Sequence, residues 1–225
     1  LKFLASNRLP EEIIVEGEII KVRFFEFIIS FPIKMLPYIS LNEKFLEEAY
    51  DVDVRGAIVL DIGAYIGDSP LYWLHKGASK VIAVEPVPEY YRLLSENCKS
   101  LPVIPILGSI GSKVPKLDIV GQQDYGLISC EEFKEYLDTP LLNFVELIKT
   151  YRPNVVKLNC EGCEHYLKNE LLLIPMLGVQ KLILQIHKIR NSYDDLLQIL
   201  EQKFGKGRIT KVETRHFTVI WEITK

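Results

Sequence analysis

Short apolar runs alternate with amphipathic stretches from residue 57 onward. Residues 57–60, 81–84, 103–107, 155–160 and 179–186 are near-continuous runs of aliphatic, mostly β-branched residues. Such runs mark strands covered on both faces, as in a parallel sheet. The segments between them carry helical spacing. Leu71, Trp73 and Leu74 give the stretch after Asp68 an apolar side, with Pro70 in a first turn where its missing N–H costs little and Gly77 as a stop. Residues 88–99 place Tyr91, Leu94 and Cys98 on one face, residues 141–151 run helically up to Pro153, residues 161–173 continue from the fourth strand, and residues 193–204 form a further helix. Residues 209–213 and 216–222 read as two closing strands. The alternation predicts an α/β fold: a Rossmann-like, doubly wound, mostly parallel seven-stranded sheet.

The first fifty residues follow a different rhythm. Residues 13–23 read as a β-hairpin turning at Gly17, with residues 24–29 prolonging it. Asn42 caps a predicted helix to about residue 50, with Phe45, Leu46 and Ala49 on one face. This divides the chain into an extension of hairpin and helix, residues 1–52, resting on a main domain, residues 53–225. Residues 108–130 are the least regular, with a short strand predicted at 117–120.

At 225 residues and 48% hydrophobic content the chain can bury a full core. A net charge of −3 and a pI of about 5.9 argue against a protein built to coat nucleic acid. The longest apolar run, residues 24–37, is broken by Glu26, Pro32 and Lys34 and falls short of the roughly 20 clean residues of a membrane span. No secretory signal pattern is visible. Four cysteines are too few for a disulfide scaffold at this length, so a reduced, cytoplasmic protein is expected.

In doubly wound sheets, ligands bind beyond the carboxyl ends of the strands at the switch point. Asp61, Glu85, Gly108, Asn159, Cys160, Glu161 and His187 all fall at predicted strand ends. The turn after the first strand, Asp61-x-Gly63-x-x-x-Gly67, does not match the dinucleotide fingerprint, and an acid ahead of its first glycine would repel a phosphate. It suits a cofactor with a cationic amino acid end and no phosphates, which S-adenosylmethionine supplies. Glu85, at the tip of the next strand, can accept both ribose hydroxyls. The plainer alternatives are a helix N-terminal acid for Asp61 and a solvated strand end for Glu85.

The stretches Leu60-Asp61-Ile62-Gly63-Ala64-Tyr65-Ile66-Gly67-Asp68 and Val84-Glu85-Pro86 resemble the first two motifs of class I S-adenosylmethionine-dependent methyltransferases. Within that class, Val156-Lys157-Leu158-Asn159-Cys160-Glu161-Gly162-Cys163-Glu164 and Leu184-Gln185-Ile186-His187 are similar to signatures of the FkbM family. The likeness covers roughly residues 45–190. It implies the class I fold and cofactor contacts from Asp61, Gly63, Ala64, Tyr65, Gly67, Asp68, Glu85, Pro86 and Ser109. Three departures stand out. Tyr65 replaces the small or Asn residue usual in the turn, so its ring is expected over cofactor or substrate. Asn159 replaces an Asp. Ser109 stands in a stretch where the family usually has Asn-Ala-Ala, so adenine would be held by backbone and Ser109.

A hydroxyl acceptor needs a base within hydrogen-bond reach. Glu161, Glu164 and His187 are candidates, and Glu161, His187 and Asn159 are taken as the catalytic set. The plainer alternatives are helix-dipole acids for the two glutamates and a locally bonded strand-end histidine. Lys157, in a buried strand, needs a partner, with Glu161 or Glu85 expected. Cys160 and Cys163 fall where the family has Val and Ala and read as small apolar fillers; a disulfide is the alternative, and no metal is expected, since zinc needs more converging ligands. The basic stretch 203–211 is a solvated loop or a phosphate contact. The function expected is O-methylation of a small molecule or sugar hydroxyl, with an RNA methyltransferase or a non-catalytic cofactor-binding module as alternatives.

Overall fold

A computed structural model describes residues 11–38, 50–111, 138–187, 193–212 and 216–223. Its centre is a seven-stranded sheet in the order β11-β12-β10-β9-β4-β5-β6. Five strands are parallel: β4 (Ile58–Ile62), β5 (Lys80–Glu85), β6 (Val103–Leu107), β9 (Val155–Leu158) and β10 (Lys181–His187). β12 (His216–Glu222) returns antiparallel to β10, and β11 (Arg208–Val212) lies antiparallel on its far side. The order reverses between β4 and β9, which places the switch point at the tip of the first core strand.

Helices cover both faces. On one, Val59, Ala83, Val155, Ile183 and Ile220 meet Leu71 and Trp73 of α1 (Asp68–His75) and Leu94 of α2 (Pro88–Asn97). On the other, Leu60, Ile82, Val156, Leu182 and Val219 meet Phe144 and Ile148 of α3 (Phe144–Tyr151) and Leu196 and Leu200 of α5 (Tyr193–Phe204). The buried strands β4, β5, β9 and β10 are apolar nearly throughout because both faces are covered.

The N-terminal segment has three strands, where the pattern suggested a hairpin. β1 (Glu12–Glu16), β2 (Ile19–Phe24) and β3 (Phe27–Pro32) form an antiparallel meander, because Phe25 takes φ +50° and closes a second tight turn. Alternate residues Ile20, Val22, Phe24, Ile29 and Phe31 join the core of α1 and α2. Asn97 of α2 fastens the contact, accepting from Ser30 N–H and donating to the carbonyls of Ser30 and Ile66. The meander therefore braces the residues just beyond the glycine turn.

Two further differences are local. The helix expected from residue 141 begins at Phe144, because Asn143 accepts the Glu146 N–H as an N-cap. The preceding β8 (Leu141–Leu142) pairs in parallel with β7 (Ser109–Ile110). The helix expected over residues 161–173 is broken into a 3₁₀ turn (Cys163–Tyr166), a single α turn, α4 (Lys168–Leu171), and a second 3₁₀ turn (Ile174–Leu177) ending at the left-handed Gly178. The predicted helix at 42–50 and strand at 117–120 lie outside the described residues, except for Tyr50. No helix among the described residues is long and apolar enough to cross a membrane.

Candidate active site

The site is built outward from the turn after β4. Gly63 and Ala64 both donate N–H bonds to Val84 O, folding the turn onto the end of β5, and Gly67 N–H bonds Ala64 O. Gly63 has φ +78°, and a Cβ there would lie 1.8 Å from the Asn159 carbonyl oxygen. Only glycine lets β4 and β9 close to this distance. Gly67, at φ +100°, starts α1 with Asp68 and the buried Ser69 in its first turn. Ala64 is fully buried.

Behind the turn lies a sealed ion pair. Asp61 and Lys157 are both 0% exposed. Lys157 Nζ donates to Asp61 Oδ1 at 2.7 Å and to the carbonyls of Gly63 at 2.9 Å and Ile62 at 3.2 Å. Trp73 Nε1 donates to Asp61 Oδ2 at 2.9 Å. The partner of Lys157 is thus Asp61, not Glu161 or Glu85. Register explains it: the two residues are direct neighbours on β4 and β9 and point to the same face. Tyr50 completes the group. Its ring stacks on Trp73 and faces Lys157 Nζ at 5.9 Å, and its hydroxyl accepts from Asn159 Nδ2 at 3.2 Å. Trp73 was legible in the sequence only as an apolar helix position and Tyr50 only as the end of a predicted helix; the buried Lys157 was the signal that a partnered network had to exist.

At the tip of β5, Glu85 accepts N–H bonds from Tyr65 and Val87, each at 2.9 Å. Burial dominates its titration and raises its pKa from 4.5 to about 8, against the lowering effect of those two bonds. Tyr65 reaches Glu85 through its backbone, at φ +50°, while its half-buried ring packs edge-on against Tyr90 at 4.6 Å. The Asn that the family favours there takes left-handed backbone more readily. Pro86 is half-buried, and Ser109, just past β6, is buried with its Oγ unpartnered.

The tip of β9 gathers the candidate catalytic residues. Cys160 and Cys163 are joined in a disulfide and are not separate fillers. The loop between them turns through two left-handed residues, Glu161 at φ +55° and Gly162 at φ +111°. Glu164 is fully buried; its Oε1 accepts both the backbone N–H and Nδ1–H of His187, at 2.8 and 2.9 Å, and its Oε2 accepts Gly162 N–H. Glu161 keeps a half-exposed carboxylate 3.4 Å from His187 Nε2, an ion-pair distance without hydrogen-bond alignment. Burial alone would lower the His187 pKa, but Glu161 and Glu164 raise it from 6.5 to about 10. His187 is therefore an imidazolium at neutral pH and a donor, which leaves it unable to serve as the neutral base anticipated from an ordinary histidine. Cys160, Cys163 and Glu164 lie close enough to share an ion, but the disulfide and the bonds to His187 occupy them.

These shifts fix a pH dependence of stability. Between pH 4.5 and 8 the unfolded Glu85 loses its proton while the folded one keeps it, so stability falls as pH rises. The charged His187 contributes stability that is complete below 6.5 and lost on the way to about 10. The melting temperature should drop steadily from pH 5 to pH 10. Glu85→Gln should flatten the acidic half of that slope and His187→Gln the alkaline half; parallel profiles for wild type and both variants would refute the assignment.

The donor set fits a cationic nucleoside without phosphates. Glu85 stands at the tip of β5 and Asp68 opens α1, and the ammonium of Lys157 is consumed by Asp61. Ser109 Oγ and Asn159 Oδ1 are buried polar atoms with no partner among the described residues, placed at strand tips on either side of the turn.

Comparison with known proteins agrees. No curated protein matches the sequence. Among solved structures, the Methanococcus jannaschii fibrillarin pre-rRNA processing protein has a TM-score of 0.52 at 16% identity, covering 98% of this chain and 86% of its own. M. jannaschii TYW2 in complex with S-adenosylmethionine has a TM-score of 0.53 at 13% identity, covering 92% and 85%. A SAM-dependent methyltransferase from Agrobacterium tumefaciens has a TM-score of 0.52 at 13% identity, covering 96% and 73%. Identities this low establish the fold alone. The model of the methyltransferase FkbM domain matches residues 61–206, from the acid of the glycine turn to the end of the last helix. The chain belongs to the FkbM family of methyltransferases, whose methyl donor is S-adenosylmethionine.

Proposed function

We propose that the chain methylates a hydroxyl oxygen of a small molecule or sugar. The observation that carries this is the Glu161 carboxylate: half-exposed, held at a left-handed turn beside a buried imidazolium, at the switch-point edge of the sheet. When bound, the cofactor supplies an electrophilic methyl on a sulfonium. Glu85, protonated at neutral pH, meets the ribose hydroxyls with the valences left free by Tyr65 and Val87 N–H, donating to one and accepting from the other. Gly63, Ala64, Gly67, Asp68 and Pro86 line the approach, Tyr65 holds Glu85 through its N–H, and Ser109 and Asn159 offer polar atoms to the base and the amino acid end. Asp61, being sealed, acts through Lys157 and the Gly63 carbonyl, setting the shape of the turn. Glu161 takes the acceptor proton, and His187 orients Glu161 by charge.

Two observations weigh against RNA as the acceptor. Lys203 and Lys206 flank Gly205, whose carbonyl accepts Trp221 Nε1–H in the row where β10 begins, at the sheet edge opposite Glu161. Arg208 is tied to Asp51. The test is methyl transfer from labelled S-adenosylmethionine to a panel of sugars and hydroxylated small molecules beside a panel of RNAs. Label in sugar or small-molecule ethers supports the proposal. Label in RNA alone would replace it, and cofactor binding without turnover on any acceptor would favour a non-catalytic module.

Glu85→Ala should weaken S-adenosylmethionine binding by about 3- to 10-fold, the worth of one or two hydrogen bonds to a neutral buried carboxyl. Calorimetry checks it; unchanged affinity would remove Glu85 from the ribose.

A further inference from the structure

We propose that the Cys160–Cys163 disulfide is a redox clasp that positions Glu161, and that a dithiol reductant opens it and disables the site. That Glu161 takes the acceptor proton rests on the function proposed above; the clasp itself does not.

The bond joins cysteines three residues apart, with Glu161 and Gly162 between them. Both of these turn through the left-handed region, at φ +55° and φ +111°. Glycine adopts that conformation freely, but a glutamate keeps it only where its surroundings enforce it. Among the described residues two other tethers span the loop. Cys163 N–H reaches the Cys160 carbonyl at 3.4 Å, and Gly162 N–H reaches Glu164 Oε2 at 3.0 Å. Neither engages an atom of Glu161. Its half-exposed carboxylate stands 3.4 Å from His187 Nε2 without hydrogen-bond alignment, so the ion pair is too weak to fix the backbone beneath it.

His187 does not depend on the clasp. Glu164 Oε1, outside the loop, accepts its backbone N–H and Nδ1–H at 2.8 and 2.9 Å. His165 Nε2 lies 2.9 Å from the His187 carbonyl, and the His216 ring lies 5.4 Å from the His187 ring. Of these charged and titratable neighbours, Glu161 alone lies between the cysteines. Opening the clasp therefore frees the carboxylate and leaves the imidazolium in place.

The two sulfurs differ in access. Cys160 is half-buried and Glu161 beside it is exposed, whereas Cys163 is only 8% exposed. A thiolate of the reductant attacks Cys160 Sγ; the Cys160–Cys163 bond breaks, and its electron pair leaves on Cys163, which takes a proton. The second thiolate of the reductant then attacks its own sulfur in the mixed disulfide, and Cys160 leaves and is protonated. Two electrons and two protons pass to the protein, and the dithiol departs as a disulfide.

The test is a histidine-ring NMR titration of the full chain, in oxidised glutathione and in dithiothreitol. Cys160 and Cys163 should resist iodoacetamide in the first and react in the second. On reduction the His187 pKa should fall by about one unit, as a charged neighbour withdraws. The fall should be absent in Glu161→Gln, and S-adenosylmethionine affinity should stay within about twofold. Cys160→Ser/Cys163→Ser should titrate like the reduced wild type in both conditions, and a Cys98→Ala control, which removes a free cysteine, should respond as wild type does. Any acceptor that the oxidised chain methylates should turn over at least about tenfold more slowly after reduction and recover on reoxidation. Reactive Cys160 and Cys163 in the oxidised chain, an unmoved His187, or a shift that persists in Glu161→Gln would each overturn the clasp. Loss of cofactor binding on reduction would overturn it too, making the disulfide a staple of the whole fold. Undiminished turnover by a chain whose clasp has opened would instead overturn the base role of Glu161, and the switch with it.

Discussion

Lys157→Met will lose about 3–5 kcal/mol of folding stability in urea denaturation, the cost of stranding one member of a buried ion pair. Asp61 would keep Trp73 Nε1–H but lose its counter-charge, at zero exposure. The carbonyls of Ile62 and Gly63 would lose their donor at the same time. The variant separates two accounts of Asp61. If the acid is structural through Lys157, replacing both residues by apolar ones of similar size should recover much of the loss, because the pair's net worth is small beside the penalty of breaking it. A loss below about 1 kcal/mol would mean that Asp61 is readily neutralised or hydrated. The expected coupling also explains why the acid precedes the first glycine: the ammonium it anchors fixes the carbonyl of Gly63, and with it the turn.

Glu161→Gln will lower kcat by about 100- to 10,000-fold with little change in cofactor affinity, as expected for removing a positioned general base. Gln keeps the size of Glu161 and cannot take a proton. Cofactor affinity should hold because Glu85, proposed to meet the ribose, is at the tip of another strand. A kcat within threefold of wild type would take the base role from Glu161. His187 is a poor replacement, since Glu164 holds it protonated. Glu164 is no better, since both its oxygens are engaged and it has no exposed surface.

Much of this architecture was legible because it rests on local rules. Continuous apolar runs gave the five parallel strands, and glycine and proline marked the helix ends. The glycine turn and the acid at the next strand tip name the cofactor class from local residues alone. What was not legible depended on contacts distant in sequence. Asp61 and Lys157 are 96 residues apart, and only the pairing of β4 with β9 makes them neighbours. The disulfide of Cys160 and Cys163 was open because a Cys-x-x-Cys spacing alone permits fillers, a bond or a metal. Charge on His187 depended on Glu164 reaching across from the end of β9, which no pattern of types in sequence reports.

The turn from Asp61 to Asp68 and the tip of β5 are proposed to hold S-adenosylmethionine. Calorimetric titration of the full chain with that molecule tests it most directly. One site per chain with a dissociation constant of about 1–100 μM is predicted. No saturable heat at high micromolar concentration would contradict it.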